Sequence, residues 1–369
     1  MNAINRLFSS RQLYDYNQDD PLFLAAVKEV TAFHLKHCEA YQKILATQDF
    51  ALDKMAEISQ LPPLPTLLLK STPLLSIPKH RLKLVSTTSG TSGTPVSVGF
   101  DWSAIYNGQK MLRRMLAYHQ LFSFKPVHYL ILGYQPHKSN QMGAARTANV
   151  ATYLAPAKSR TYALNYTDQG YQLNIEGLEK ALTAFTTQKT PVRILGFPSY
   201  FYFLLDYLKT NQIHLQLPPG SLVFLGGGWK QFANVAIDKN ELVALAGEVL
   251  GLSQSDIHEF FGVVEHNVPY FTCSNSHFHI PLYSRVIIRD IKTLKPLPYG
   301  QPGLLNLITP LMKSHPLTSI LTDDIAILHP TTKCGCGNPA DFFEVLRRAG
   351  LADIKTCVNL SADYLSGGH

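Results

Sequence analysis

Apolar positions recurring at three- and four-residue intervals predict helices over residues 21–47, 102–121, 176–188, 198–211 and 238–251. The first has Asp19 and Asp20 ahead of Pro21, acids and a proline where a helix begins. It encloses Cys38, expected there as a packed thiol. Between the helices run short apolar bursts closed by turn residues: LKLVS, VHYLILG, VRILGF and SLVFLGGG. Such bursts alternating with helices predict buried strands of a largely parallel sheet, an α/β fold. Two regions break the alternation. LPPLPTLLLKSTPLLSIPKHRLK is proline-rich and reads as an extended segment crossing the core. From about residue 277 the pattern shortens to HFHIPLYSRVIIRD, GLLNLITP and DDIAILHP, a smaller β-rich section. The expected organisation is a helical N-terminus and α/β core over 1–276, the β-rich section over 277–330, and a short C-terminal segment over 331–369.

Composition narrows the class. With 46% hydrophobic and 16% charged residues the chain folds as a globular protein rather than a disordered one. No apolar run approaches the roughly 18 residues of a membrane span, and MNAINRLFSSRQLYDY lacks a secretory apolar region. The expectation is a cytoplasmic protein with no membrane span. The net charge of +7 reads as spread along the chain, with RLKL and LRRA the nearest approach to clusters. That distribution argues against a nucleic-acid binder, which concentrates its bases on one face. The five cysteines form no regular disulfide framework and point to metal binding, a reactive thiol or packing.

The chemistry-bearing stretch is LVSTTSGTSGTPVSVGFD, Leu84 to Asp101. Glycines let backbone amides turn inward and hydroxyls add donors, so an anion can be surrounded without a fixed cation. Placed after LKLVS, the loop is expected at the carboxyl end of a parallel strand, where ligands collect. It lacks the GK[ST] of a P-loop, and a flexible surface turn is the alternative. Three later stretches add what a nucleotide needs. GGGWK (Gly226 to Lys230, with Gly227 and Gly228 inside it) permits close backbone approach; FFGVVEH supplies Phe261, Gly262, Glu265 and His266; LTDD supplies Asp324. An aromatic can stack on a base, one carboxylate can hold Mg²⁺ and another can accept from a ribose.

TSGTSGTP, FFGVVE and LTDD, in that order, resemble the nucleotide motifs of the adenylate-forming superfamily. The ending RRAGLADIKTC resembles that of LuxE-type acyl-protein synthetases, with phenylacetate–CoA ligase a more distant cousin. The resemblance implies the α/β N-terminal domain of an adenylate-forming enzyme, with mixed and parallel sheets flanked by helices. The chain ends 45 residues after Asp324, so the mobile C-terminal domain of longer members is expected to be truncated. It implies that Thr88, Ser89, Gly90, Thr91, Ser92, Gly93 and Thr94 cradle the phosphates of ATP, although Val96 stands where the family has lysine. Phe261 would flank adenine, Glu265 would ligate Mg²⁺ and Asp324 would bind ribose. The implied reaction joins a carboxylic acid, in this group a fatty acid, to AMP and then to a thiol. Cys357, near Lys355, Arg347 and Arg348, is the candidate acyl carrier, since neighbouring cations favour thiolate. Lys355 or Lys230 is the candidate for the lysine that longer members place on the adenylate, and His266 for contact with the substrate carboxylate. An acyl reductase or a carrier protein is the implied partner. An aryl or amino acid passed to an external acceptor is an alternative, as is a non-catalytic nucleotide- or metal-binding protein.

Cys334 and Cys336 in CGCG, with Cys273 and His279 (favoured over His277), offer four ligands for a structural Zn²⁺; reduced thiols in a turn are the other reading. The aromatic-rich LGFPSYFYFLLDYL, Leu195 to Leu208, would suit an acyl pocket or simply a core helix.

Overall fold

The computed structural model describes residues 2–16, 20–72, 74–87, 97–137 and 151–349. The chain divides into two units. One comprises Met1–Met115, Gly262–Tyr270 and His277–His369; the other comprises Leu116–Phe261 and Phe271–Ser276.

The second unit is built on a sheet in the order Ile257–Val263, Leu222–Gly226, Val192–Gly196, Val127–Tyr134, Ala157–Thr167, Gly170–Leu173. The first five strands run parallel and the last folds back antiparallel. Central strands of a parallel sheet are covered on both faces, so they read as unbroken apolar runs. VHYLILG, VRILGF and SLVFLGGG become these strands, and Leu130, Ile194 and Val223 are buried. The helix Ile175–Thr186 buries Leu178 and Leu182; Pro198–Thr210 buries Phe201, Leu204 and Leu205; Lys239–Leu250 buries Ala246 and Val249. The last starts in an Asp238–Glu241 capping box and ends at Gly251 in the left-handed conformation, the stop signal glycine supplies best.

In the first unit the sheet is antiparallel, in the order Phe278–His279, Phe342–Arg348, Ser319–His329, Pro302–Ile308, Arg285–Arg289. Leu64–Pro65 pairs parallel with Ile320–Leu321, so part of the proline-rich segment is indeed extended. Arg289 pins that segment: its Nη2 donates to the carbonyls of Ser59 (2.9 Å) and Leu61 (3.2 Å) and its Nε to Asn306 (2.8 Å).

Two expectations are corrected. The helix over 21–47 is two helices, Pro21–His37 and Glu39–Ala46. Cys38 is the break between them, in extended conformation, closing one helix through its N–H and opening the next through its carbonyl. The kink lets Tyr41, Ile44 and Leu45 turn into the core. The strand Leu84–Thr87 is not part of the parallel sheet. It pairs antiparallel with Ser97–Phe100 in a separate two-stranded ribbon. That ribbon is held by His315, whose Nε2 accepts the Gly99 N–H (2.9 Å) while Nδ1–H donates to the Leu74 carbonyl (2.6 Å).

Candidate functional site

In the second unit, the strand Val127–Tyr134 passes the chain to Ala157–Thr167 on one side. Val192–Gly196, on its other side, leads away through Leu222–Gly226 to Ile257–Val263. Connections diverging from adjacent strands leave a crevice at their carboxyl ends, the usual ligand position in such sheets. Aromatic side chains collect at this end. Tyr134 and Tyr171 meet edge to face at 4.9 Å, Tyr171 donates to the Gln135 carbonyl (2.9 Å), and Phe197 meets Tyr200 at 5.6 Å. Burial, then the nearby Tyr134, holds the Tyr200 hydroxyl above its ordinary pKa, so it stays a neutral donor. LGFPSYFYF points to Tyr200, whereas nothing in the sequence singles out Tyr134, the last residue of its strand, or Tyr171, near the start of the returning strand; the turn that follows VHYLILG is the signal that would have found Tyr134.

The glycine stretch stands at the same end. Gly226 closes its strand against Phe260, its partner in register, and a β-carbon there would run into the Phe260 ring. Gly227 (φ 81°) and Gly228 (φ 65°) follow in the left-handed region, which costs other residues roughly 1–2 kcal/mol each. Among the described residues no heavy atom would meet a β-carbon on Gly228 within 4 Å, so the backbone there is open toward them. Trp229 then lies over the helix Pro198–Thr210, 5.7 Å from Tyr202. Phe261 is half-buried on the strand Ile257–Val263.

Asp324 belongs to the first unit, where its strand loses register on both sides. Opposite Pro302–Ile308, Leu304 pairs with Ile325 but Asn306 with Leu321, so Thr322, Asp323 and Asp324 bulge from the ladder. On the other edge, Leu64–Pro65 ends opposite Leu321 and the antiparallel Phe342–Arg348 ends with Arg348 opposite Asp324, with a second irregularity between Ile325 and Ala326. Bulges of this kind re-aim side chains next to sites. The Thr322 hydroxyl accepts from the Asp324 N–H (3.2 Å), and Ala349 N–H donates to the Asp323 carbonyl (2.7 Å). The Asp324 carboxyl is buried, which raises its pKa, while Arg348 at 3.7 Å pulls in the opposite direction.

Glu265 lies buried in the tight turn that joins Ile257–Val263 to His266–Phe271, a turn closed by Asn267 Nδ2 donating to the Val264 carbonyl (2.8 Å). Gly262 is exposed on the incoming strand. His266 is buried, with Nε2 2.9 Å from the Tyr270 hydroxyl, which lies 2.6 Å from the Ser284 hydroxyl; Ser284 donates to the Ile308 carbonyl (3.1 Å). Burial pushes the His266 pKa down to about 3, so the ring is neutral at physiological pH. Its Nδ1 has no hydrogen-bond partner among the described residues.

The CGCG turn brings two thiols to one imidazole. Cys334 Sγ and Cys336 Sγ each lie 3.2 Å from His279 Nε2, with Gly335 (φ 72°) and Gly337 (φ 82°) reversing the backbone. His279 Nδ1–H donates to the Ala340 carbonyl (2.6 Å), which fixes the tautomer that leaves Nε2 free for a metal. A nitrogen and a sulfur sharing a tetrahedral Zn²⁺ stand about 3.5 Å apart, from bond lengths of roughly 2.0 and 2.3 Å. The donor set therefore fits zinc. His277 Nδ1 is also 3.2 Å from Cys334, and its Nε2 faces Glu344 at 4.0 Å. Cys273 is in the second unit, in a turn closed by its carbonyl and Ser276 N–H, six residues before His279.

The phosphate-loop residues Thr88 to Thr94, the departure at Val96, and Lys355 and Cys357 lie outside the described residues, as does the side chain of Lys230.

The architecture is that of the adenylate-forming acyl ligases. A solved 2-hydroxyisobutyryl-CoA ligase in the postadenylation state, bound to 2-HIB-AMP, superposes with a TM-score of 0.62 at 15% identity, covering 90% of this chain and 68% of that one. An open conformation of a 2-hydroxyisobutyryl-CoA ligase, with 2-HIB-AMP and CoA, gives 0.64 at 14% identity, covering 92% and 78%. Sequence comparison goes further: the family model for acyl-protein synthetase, LuxE, matches residues 2–365, and the chain belongs to that family. It is therefore a ligase that activates a carboxylic acid and transfers the acyl group. Among its relatives is a long-chain-fatty-acid–luciferin-component ligase of Aliivibrio fischeri, 24% identical over 342 residues and covering 92% of this chain and 87% of that one. The enzyme of the same name from Vibrio harveyi is 22% identical over 347 residues, covering 94% and 89%.

Proposed function

We propose that the chain uses ATP to convert a long-chain fatty acid into an acyl-adenylate and then carries the acyl group on its own Cys357. The observation that carries this reading is the double loss of register at Thr322–Asp324, which frees an acidic motif from the strand ladder in a fold whose relatives bind acyl-AMP. In the first step a carboxylate oxygen of the fatty acid bonds to the α-phosphorus and pyrophosphate leaves. In the second, the Cys357 thiolate bonds to the acyl carbon and AMP leaves.

Residues from Thr88 to Thr94 would supply amide and hydroxyl donors to the phosphates, the Gly227–Gly228 backbone and Phe261 would face adenine, and Asp324 would accept from the ribose. Mg²⁺, held by Glu265 and the phosphates, would neutralise the triphosphate. His266, neutral and anchored through Nε2, has Nδ1 available for the substrate carboxylate, and Lys355 is assigned to the adenylate. Zn²⁺ bound by Cys334, Cys336, His279 and Cys273 would be structural, because four protein ligands leave no open position. The Cys357 thioester would then be consumed by an acyl reductase or carrier protein, as the luciferin-component names of the relatives suggest.

Fatty-acid-dependent ATP–pyrophosphate exchange with Mg²⁺ tests the first step. Asp324→Ala should raise the KM for ATP at least about tenfold, the loss of one good hydrogen bond to a charged group. Cys357→Ser should keep the exchange and abolish labelling of the protein by radioactive fatty acid. Exchange with no fatty acid would reject the substrate class, and self-acylation surviving in Cys357→Ser would reject the carrier.

A further inference from the structure

Charge along this chain is far from even. Between Glu57 and Asp168 the only acid is Asp101, against twelve lysines and arginines. Outside that stretch acids outnumber bases, 25 to 21. The expectation of an evenly spread excess is thus corrected: the missing acids, rather than clustered bases, make the asymmetry.

The second unit turns part of this stretch into a surface. At the amino ends of the central strands, the loop Leu121–Pro126 lies beside Tyr153–Pro156, joined by Ser123 N–H to the Leu154 carbonyl (3.0 Å) and Val127 N–H to the Pro156 carbonyl (2.9 Å). Three aromatics project from the two segments: Phe124 is 98% exposed, Tyr153 74% and Phe122 42%. Soluble chains seldom leave a phenylalanine wholly in water beside two more exposed rings. Lys125 belongs to the first of these segments, and Lys158 and Arg160 to the strand that follows the second, all exposed. Lys158 Nζ meets the neutral oxygens of Gln188 (3.2 Å) and Thr190 (3.3 Å). Arg160 donates to the Thr152 hydroxyl (3.0 Å) and lies 5.7 Å from the centre of the Tyr153 ring. No ion pair with a carboxylate occupies these three cations among the described residues.

We infer that this face docks the protein on an anionic lipid bilayer, with Phe124, Phe122 and Tyr153 entering the headgroup region and Lys125, Lys158 and Arg160 meeting lipid phosphates. The chemistry favours a bilayer over a protein partner. The rings stand out from a loop rather than lining a groove, aromatic side chains concentrate at membrane–water interfaces, and each basic residue near an anionic leaflet adds attraction. No described helix is long and apolar enough to cross a membrane, so the association would be peripheral. It is independent of which acid the enzyme activates.

Flotation of the whole protein with vesicles of phosphatidylcholine, with and without phosphatidylglycerol, tests this. The expected result is binding only when phosphatidylglycerol is present, weakened by salt. Phe124→Ser should lower the partition coefficient about tenfold, the value of burying part of one phenyl ring, and Lys125→Glu should lower it further in the doubly substituted protein. Because both side chains are exposed, unchanged thermal melting should accompany the loss. Equal binding to neutral vesicles, or binding indifferent to Phe124→Ser, overturns the proposal. So does a dimer that Phe124→Ser dissociates without any vesicle binding, which would give the face to a second copy. Salt-sensitive binding to single-stranded DNA with no vesicle binding would overturn it in favour of nucleic acid.

Discussion

The two units present their chemistry by opposite means. In the second, parallel strands end in backbone: Gly226 is pressed against a ring and Gly227 and Gly228 follow in left-handed turns. In the first, chemistry comes from side chains: Asp324 in a bulge of the antiparallel sheet, Glu265 in the hairpin turn after Ile257–Val263, Cys334 and Cys336 in a turn shaped by Gly335 and Gly337. A covered parallel sheet has room for function only where its strands stop. An antiparallel sheet can place a carboxylate or thiol along its length by adding a residue to one strand. The difference predicts that the first unit depends on particular functional groups, and the second on the absence of side chains.

The most severe test removes a thiolate. If Zn²⁺ is structural, its binding free energy is folding free energy. Cys334→Ser should therefore drop bound zinc from one equivalent to near none and destabilise the protein by about 4 kcal/mol or more, in the range reserved for lost metals and buried networks. Elemental analysis and denaturant melts check both. Purified wild-type protein without zinc, and as stable after chelation as before, would reduce the turn to packed thiols.

Much of the second unit was readable from the chain because burial on both faces writes one signal: VHYLILG, VRILGF and SLVFLGGG were found as strands. Ala157–Thr167 was not. It has one fully buried residue, Ala163, and a polar sequence, so neither alternation nor an apolar run marks it. In the first unit LTDD was legible as a motif, yet its bulge is a property of three strands brought together and no local pattern carries it. Apolar spacing continues across Cys38 and so predicts an unbroken helix there; only the packing of Tyr41 and Leu45 reveals the break. His266 was named for the substrate carboxylate, but its anchoring by Tyr270 and Ser284 needed the fold.

Acid should separate the units next. His34 and His266 both lie in the first unit, and burial holds each pKa near 3. The unfolded chain takes up these protons near pH 6.5 while the folded chain does not, so stability falls as pH drops from about 6.5 toward 3. At pH 5 each group should cost about 2 kcal/mol relative to pH 7. His34 donates through Nε2 to the Met312 carbonyl (3.1 Å) and accepts at Nδ1 from Ser76 (2.7 Å). His34→Gln should be less stable than wild type at pH 7, with the gap closing by about 2 kcal/mol at pH 5. Burial lowers His128 and His258 of the second unit as well, but by less, so hydrogen exchange should find the greater acid-induced loosening in the first unit. A gap independent of pH would mean that His34 is already protonated in the fold, or that its proton is not coupled to unfolding.

The smallest expected effect isolates the second unit's dependence on bare backbone. Gly226 and Gly228 are two residues apart, yet they lack side chains for different reasons. At Gly226 a methyl would strike the Phe260 ring, so Gly226→Ala should cost about 2 kcal/mol, as overpacking does. At Gly228 a methyl meets no described residue within 4 Å, and the left-handed φ of 65° is what opposes it, so Gly228→Ala should cost about 1 kcal/mol. If the open backbone at Gly228 is where the nucleotide approaches, its KM for ATP should nevertheless rise more than that of Gly226→Ala. A substitution that is milder for folding would then be harsher for binding. If the two variants instead rank the same way in melting temperature and in KM, the glycines shape the strand end and do not admit a ligand.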